Sequence, residues 1–117
     1  MSEWPGDEAF CYLTTTGRVS GRPHIIEIWF AHRNATLYFL ADSGSQADWV
    51  RNLIANPAVM VRVGERQVSG VGRVVDDGAE GRLARDLVFA KYQPGYGGDL
   101  GGWRESALPV AVDVAAS

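Results

Sequence analysis

The chain has little cysteine and little histidine. Cys11 is the only cysteine among 117 residues, so no internal disulfide can form. It stands in the apolar run of residues 10–13, which indicates a small buried core residue rather than a nucleophile. His24 and His32 lie apart from each other in sequence. No metal-ligand spacing is present, and we expect no metal site.

Positive charge and long apolar runs are also scarce. Eleven Lys and Arg stand against 14 Asp and Glu, for a net charge of −3, and no basic stripe is present. We therefore expect no nucleic-acid partner. No apolar run approaches the roughly 20 residues that span a bilayer, and residues 1–8 are acidic where a signal peptide would be basic and then apolar. These features predict a cytoplasmic protein without stable membrane insertion.

The length fits one domain over residues 1–117, since a chain of this size buries roughly two thirds of its unfolded surface. Alternating and apolar patterns predict six strands, at residues 10–16, 23–32, 36–41, 58–63, 67–75 and 107–114. Apolar residues at helical spacing predict an amphipathic helix over residues 79–91. The sequence thus favours an α+β fold, a mainly antiparallel barrel with two or more packed helices.

Residues 13–23 read Leu-Thr-Thr-Thr-Gly-Arg-Val-Ser-Gly-Arg-Pro, a strand end followed by a loop with two glycines and two arginines. Glycines allow backbone amides to approach an anion, hydroxyls donate hydrogen bonds, and guanidinium groups give forked, charged donors. The loop is therefore a candidate anion site. The alternative is an exposed hairpin loop whose arginines face water.

Residues 43–57 place small hydroxyl residues before a short amphipathic helix. We expect Ser43 or Ser45 to cap this helix, Trp49, Leu53 and Ile54 to share one of its faces, and Pro57 to end it. The free amides of a first helical turn attract anions. A phosphate could therefore bind between the helix start and the arginine loop.

Together the two segments resemble the deazaflavin-dependent nitroreductase and quinone reductase family, small split β-barrel proteins that use the 5-deazaflavin coenzyme F420. The pattern Thr-Thr-Thr-Gly-Arg-x-Ser-Gly-x-Pro is matched at residues 14–23, and an aromatic strand follows at residues 28–30. A strand ending in a small-residue turn is matched at residues 37–45, and Trp-x-x-Asn-Leu-x-x-Asn-Pro at residues 49–57. The similarity runs from about residue 10 to residue 110.

The resemblance implies a split barrel of the FMN-binding type and hydride transfer from reduced F420 to a small-molecule acceptor: a quinone, an activated alkene or a nitro compound. It also implies an aromatic lid over the ring at the glycine-rich residues 93–103, with Tyr92 and Tyr96 as the catalytic candidates. The implied cofactor-binding residues are Thr16, Arg18, Ser20, Gly21, Arg22, His24, Trp29, Ser43, Gly44, Ser45, Trp49 and Asn52.

Two departures from the family pattern leave alternatives open. Val19 stands where relatives usually carry Lys, and Asp42 begins a turn that is usually Lys-Gly-Gly. Both changes weaken the attraction for an acidic tail. The alternatives are an FMN-binding split-barrel flavoprotein, of a kind that often binds FMN across a homodimer interface, and a non-catalytic carrier of a small apolar ligand. Glu27 faces either solvent or the pocket, where it would oppose anionic substrates.

Overall fold

The computed structural model describes residues 8–75 and 78–114; the acidic residues 1–7 used in the signal-peptide argument lie outside them. In this part of the chain, seven antiparallel strands form one curled half-barrel, where the sequence predicts six. The strands are β1 (Cys11–Thr16), β2 (Pro23–Ile28), β3 (Ala31–Arg33), β4 (Thr36–Ala41), β5 (Ala58–Val63), β6 (Arg66–Val74) and β7 (Leu108–Val114). The helices are α1 (Asp48–Ala55), α2 (Ala79–Tyr92) and α3 (Gly101–Ser106), with 3₁₀ turns at Gly44–Gln46 and Gln93–Gly95. The predicted split-barrel fold is confirmed.

The sheet curls because its two edge strands are consecutive in sequence. The strand order is β2-β1-β5-β6-β7-β4-β3, and only Trp29 and Phe30 separate β2 from β3. Three peptide steps span at most about 11 Å, so the two edges must approach each other here. The prediction of one strand over residues 23–32 is therefore wrong, since the chain leaves one edge of the sheet and joins the other. Phe30 is fully buried at this corner.

The concave face of the sheet carries the main core. In β1, buried and half-buried residues alternate, so Cys11, Leu13 and Thr15 point inward. Leu13 packs with Phe39, Val61 and other apolar side chains from β4, β5 and β7. Cys11 is fully buried, as predicted, and burial raises the pKa of its thiol to about 12. It is held as a thiol at neutral pH.

Helix α1 lies against this sheet at very close range. A Cβ atom on Gly72 of β6 would overlap the Leu53 side chain, so glycine at this position allows the close approach. Gly72 N also donates to the Pro57 carbonyl at 2.8 Å. Val50 and Leu53 are buried, whereas Ile54 is 57% exposed, so the predicted face of Trp49, Leu53 and Ile54 is wrong for Ile54.

Helix α2 packs on the opposite, convex face of the sheet over β3, β4 and β7. Arg73 joins it to the sheet, donating two hydrogen bonds of 2.7 Å to Glu80 and bonds of 2.7 and 3.1 Å to Asp113. Tyr38 also donates to Glu80, at 2.8 Å. These paired carboxylates fix the start of α2 on the sheet.

The glycine-rich segment contains helix α3, which sequence patterns did not predict. Gly101 N donates to Asp99 Oδ1 at 2.8 Å, and Gln93 bridges the Gly98 carbonyl and the Leu100 amide. Arg104 pairs with Asp86 of α2. Such side-chain contacts between distant positions leave no periodic signal. Within the described residues, no helix is long and apolar enough to cross a bilayer.

Candidate active site

A groove of about 720 Å³ opens where the sheet is split. Strand β3 pairs with Thr36, Leu37 and Tyr38, so within residues 8–75 and 78–114 the second half of β4 has no strand partner on that side. The groove separates this half-strand from the end of β2. Its volume lies within the range of small-molecule sites, roughly 300 to 1,000 Å³. Its lining residues are Ile26, Glu27, Ile28, Trp29, Leu40, Ala41, Asp42, Ser43, Ala47, Trp49, Tyr96, Asp99, Leu100 and Trp103.

Trp29 is the centre of the groove's aromatic wall. The ring centroids of Tyr96 and Trp103 lie 6.0 and 5.7 Å from it, both nearly perpendicular to the indole. Trp103 Nε1 also donates to Asp42, which ties α3 to the turn after β4. These rings present a rigid apolar surface for a planar ligand.

Tyr92 does not line the groove; it packs behind Trp29. The two rings are stacked, with centroids 4.2 Å apart and planes within 4°. The Tyr92 hydroxyl accepts from Phe30 N at 3.0 Å and donates to the Ala9 or Phe30 carbonyl at 2.8 or 3.1 Å. Burial raises its pKa to about 12. Lys91 Nζ donates to the same Phe30 carbonyl at 2.8 Å, so the end of α2 holds the β2–β3 corner.

The arginine loop, residues 17–22, is a tight turn closed on itself. Gly17 N donates to the Arg22 carbonyl at 2.8 Å, and Gly21 N donates to the Gly17 carbonyl at 2.9 Å. Gly21 has φ of 74°, a conformation that favours glycine. Arg22 N donates to Ser20 Oγ at 3.1 Å, which leaves the hydroxyl proton of Ser20 available to a ligand.

Arg18 brings this loop onto helix α1. Its backbone N and its Nη1 both donate to Asn52 Oδ1, at 3.1 and 2.8 Å. Asn52, only 3% exposed, donates in turn to Thr15 Oγ1 at 3.3 Å. The second guanidinium nitrogen lies 3.3 Å from Asp48 Oδ1. Two segments that the sequence suggested as halves of one anion site are therefore in contact.

The prediction that Ser43 or Ser45 caps helix α1 is wrong. The N-cap residue of α1 is Ala47, which makes no side-chain cap hydrogen bond. The 3₁₀ turn Gly44–Gln46, which needs φ of 58° at Gly44, follows Ser43 and contains Ser45, so neither serine directly precedes the helix. Ser43 instead lines the groove, and the carbonyl of the exposed Ser45 accepts from Arg51 Nε at 3.4 Å.

Eleven of the fourteen predicted site residues fall into three sets, and the other three, Tyr92, Gly44 and Ser45, do not line the groove. Trp29, Ser43, Trp49 and Tyr96 line the groove. Arg18, Ser20, Gly21, Arg22 and Asn52 belong to the loop and its contact with α1. Thr16 pairs with Pro23 at the far end of β1, and His24 is exposed opposite Thr15.

Sequence reasoning missed several residues of the site. Asp48 pairs with Arg18, and Asp99 and Trp103 line the groove. Glu27, left open above, is exposed and lines the groove, with its Oε1 accepting from the Tyr12 hydroxyl at 3.3 Å. The alternation of β1 would have picked out Thr15 as an inward residue. Among the described residues, no group of three His, Cys, Asp or Glu side chains could hold a metal ion.

A sequence model of the F420H(2)-dependent quinone reductase family matches residues 2–115. This chain belongs to that family. It is therefore an oxidoreductase that uses coenzyme F420 and a small-molecule acceptor, and the FMN and carrier alternatives are not favoured. The residues present fit the cofactor: the arginine loop suits an acidic tail, and the aromatic groove suits a tricyclic ring.

Three solved structures have folds similar to that of this chain. An F420-H2 dependent reductase is 21% identical, covers 90% of this chain and 94% of its own, and has a TM-score of 0.74. A second F420 reductase is 22% identical over 99% and 96% of the two chains, with a TM-score of 0.67. A structure described as a domain-swapped dimer is 21% identical over 90% and 80%, with a TM-score of 0.74.

Proposed function

We propose that this F420-dependent oxidoreductase reduces a quinone, an activated alkene or a nitro compound, with the acidic tail of F420 on the arginine loop and its ring in the groove. One observation carries the proposal. Asp48, which binds Arg18, stands between Ala47 and Trp49, and both of these line the groove. The Arg18 guanidinium therefore lies beside the groove, where one cofactor can contact both.

The cofactor supplies the reactive group, a hydride on C5 of the reduced deazaflavin. The chain has to bind the ring, fix its angle to the acceptor and exclude water. Trp29 suits the positioning role, since its indole is stacked on Tyr92 and flanked by Trp103. No nucleophile or pair of carboxylates is needed for such a reaction.

Reduction of a quinone also consumes a proton, and we propose that Tyr96 delivers it. Tyr96 lines the groove and is 48% exposed, so its hydroxyl can exchange protons with water. The Tyr92 hydroxyl is engaged by the backbone of Phe30 and Ala9, which suits a positioning role. Tyr96→Phe should lower kcat about tenfold with little change in KM. Tyr92→Phe should chiefly lower the melting temperature.

The cofactor site is tested by titrating F420 into the protein and following tryptophan fluorescence, with FMN titrated in parallel. Arg18→Ala should weaken F420 binding about tenfold or more, because it removes a charged hydrogen-bond donor, and Arg22→Ala should weaken it less. Arg82→Ala, on the exposed side of α2, is the matched control. Unchanged affinity in both loop variants would overturn the proposed anion site.

The proposal includes a homodimer. Among the described residues, helix α2, which covers β4 and β7, makes no extensive contact with β1 or β2, and β2 presents Ile25 with 64% of its surface exposed. The domain-swapped dimer described above has a similar fold. Light scattering at micromolar concentration should give twice the 12.7 kDa of one chain. A mass of one chain would contradict it.

A further inference from the structure

The charged side chains of the groove are all of one sign. Glu27, Asp42 and Asp99 line it, and none of the described lining residues is Arg, Lys or His. All three carboxylates are exposed at the groove surface. The arginines of the candidate cofactor site lie instead in the 17–22 loop on α1. The anion site and the groove therefore differ in charge.

The three carboxylates have no cationic partner among the described residues. Glu27 accepts from the Tyr12 hydroxyl, Asp42 from the Trp103 indole and Asp99 from the Gly101 amide, and all three donors are neutral. A hydrogen bond from a neutral donor leaves the charge of a carboxylate in place. The groove consequently keeps a negative potential that a ligand would meet on entry.

The aromatic wall of the groove also favours cations. The faces of Trp and Tyr rings carry negative partial charge and attract cations. The Tyr96 and Trp103 rings each stand nearly perpendicular to Trp29, which presents both faces and edges to the groove. A planar ligand that stacks on one ring is thus flanked by the others. A delocalised positive charge on that ligand gains from both the rings and the carboxylates.

We propose that the preferred acceptors of this groove are planar aromatic cations, and that anionic acceptors are rejected. This rests on the proposed function, because it concerns the acceptor at the same site, and it ranks cations above the neutral acceptors named there. In the reaction, the C5–H bond of the reduced cofactor breaks and its hydride forms a bond to the electrophilic atom of the cation. The cofactor loses two electrons, and the cation accepts them with the hydrogen nucleus and becomes neutral. The acceptor takes up no separate proton, and the N–H proton that the cofactor gives up on oxidation passes to water.

The negative charge of the groove also favours release of the product. The reduced product has lost the positive charge that the carboxylates and rings attract, so it binds more weakly than the substrate. An anionic acceptor meets three carboxylates without a counter-charge. It is excluded before any chemistry takes place.

The test measures binding without turnover. An oxazine dye with a phenoxazinium cation and resorufin, the phenoxazinone anion of the same three-ring size, are titrated separately, and their fluorescence anisotropy is followed in the absence of F420. The wild-type protein should bind the cation at least about tenfold more tightly than the anion, and the ratio should fall as salt is added. Equal affinity, or tighter binding of resorufin, would overturn the inference.

Variants test whether the preference for the cationic dye arises in the groove. The double variant Glu27→Gln with Asp99→Asn should lower the ratio of cation affinity to anion affinity about fivefold. Glu65→Gln, in the exposed turn between β5 and β6, removes one charge outside the groove and should leave the ratio unchanged. A ratio that stays the same in the double variant counts against the inference.

F420 titration of the same proteins keeps the two claims apart. If F420 fails to bind the wild-type protein, the proposed function fails. If F420 binds and the dyes show no charge preference, only the inference about acceptors fails.

Discussion

Arg18 and Asn52 lie 34 residues apart in sequence, yet the backbone N and the Nη1 of Arg18 both donate hydrogen bonds to the same oxygen of Asn52. Asn52 is buried between the loop and β1, where it also donates to Thr15. A buried amide with these three bonds fixes the loop before any ligand arrives. We therefore interpret Asn52 as a residue that positions Arg18.

Asn52→Leu should lower both stability and cofactor affinity. The substitution leaves Arg18 N and the Thr15 hydroxyl without their partner, which costs about 1 to 3 kcal/mol of unfolding free energy. Urea denaturation measures this loss, and tryptophan quenching measures the affinity for F420. The loss of F420 affinity in the double variant should be smaller than the sum of the losses in Arg18→Ala and Asn52→Leu. Simple additivity would contradict the positioning role.

Asp48→Asn should strengthen F420 binding. Asp48 lies 3.3 Å from the Arg18 guanidinium and repels any anion that approaches the same arginine. The pair is partly exposed, so the gain should be modest, about two- to fivefold at low salt. Loss of a negative charge in the first turn of α1 should cost a few tenths of a kcal/mol in stability. An equal gain in the control variant Glu65→Gln would show a general charge effect instead.

Val19→Lys should also strengthen F420 binding, since it adds a positive charge to the arginine loop. Val19 is 94% exposed, so the longer side chain disturbs no packing. The added charge beside Arg18 should raise the affinity about two- to fivefold at low ionic strength, and the gain should vanish near 1 M salt. Val71→Lys, on the convex face of β6, is the matched control. A gain that persists at high salt would contradict an electrostatic origin.

Acid should weaken the attachment of α2 to the sheet. Hydrogen bonds from Arg73, and then from Tyr38, hold the pKa of Glu80 below its ordinary value, and Arg73 likewise lowers the pKa of Asp113. Groups with lowered pKa values stabilise the fold above their ordinary range near 4, and the contribution is lost as pH falls through the folded values.

Glu80→Gln tests this pH dependence. The variant should unfold with about 1 kcal/mol less free energy at pH 7, the scale of a partly exposed charged hydrogen bond. Its difference from wild type should shrink toward zero below about pH 3. Thermal unfolding from pH 7 to pH 2.5 measures both. A difference that is constant with pH would assign the effect to packing.

Much of the fold could be predicted because short-range patterns specify it. The predicted bounds of β4 and β5 match the structure, since alternation and tight turns mark both ends. The break after Ile28 and helix α3 could not be predicted, because the first follows from closure of the sheet and the second from contacts with Asp42 and Asp86.

Part of the candidate site could likewise be predicted from the sequence, and part could not. The loop and α1 were paired through their motifs, and Arg18 does contact α1. The wall formed by Asp99 and Trp103 depends on how α3 lies across the split in the sheet. No local sequence pattern carries that information, and the charge of the groove followed only from the structure.

The corner at Trp29 and Phe30 constrains how this protein can be engineered. The same two residues close the half-barrel and supply the central ring of the groove. A library that randomises Trp29 would mix misfolded clones with altered ones. Diversity is better placed at Asp99 and Tyr96, whose side chains are exposed and which lie outside the strand ladder. Acceptor range can then be varied on an intact scaffold.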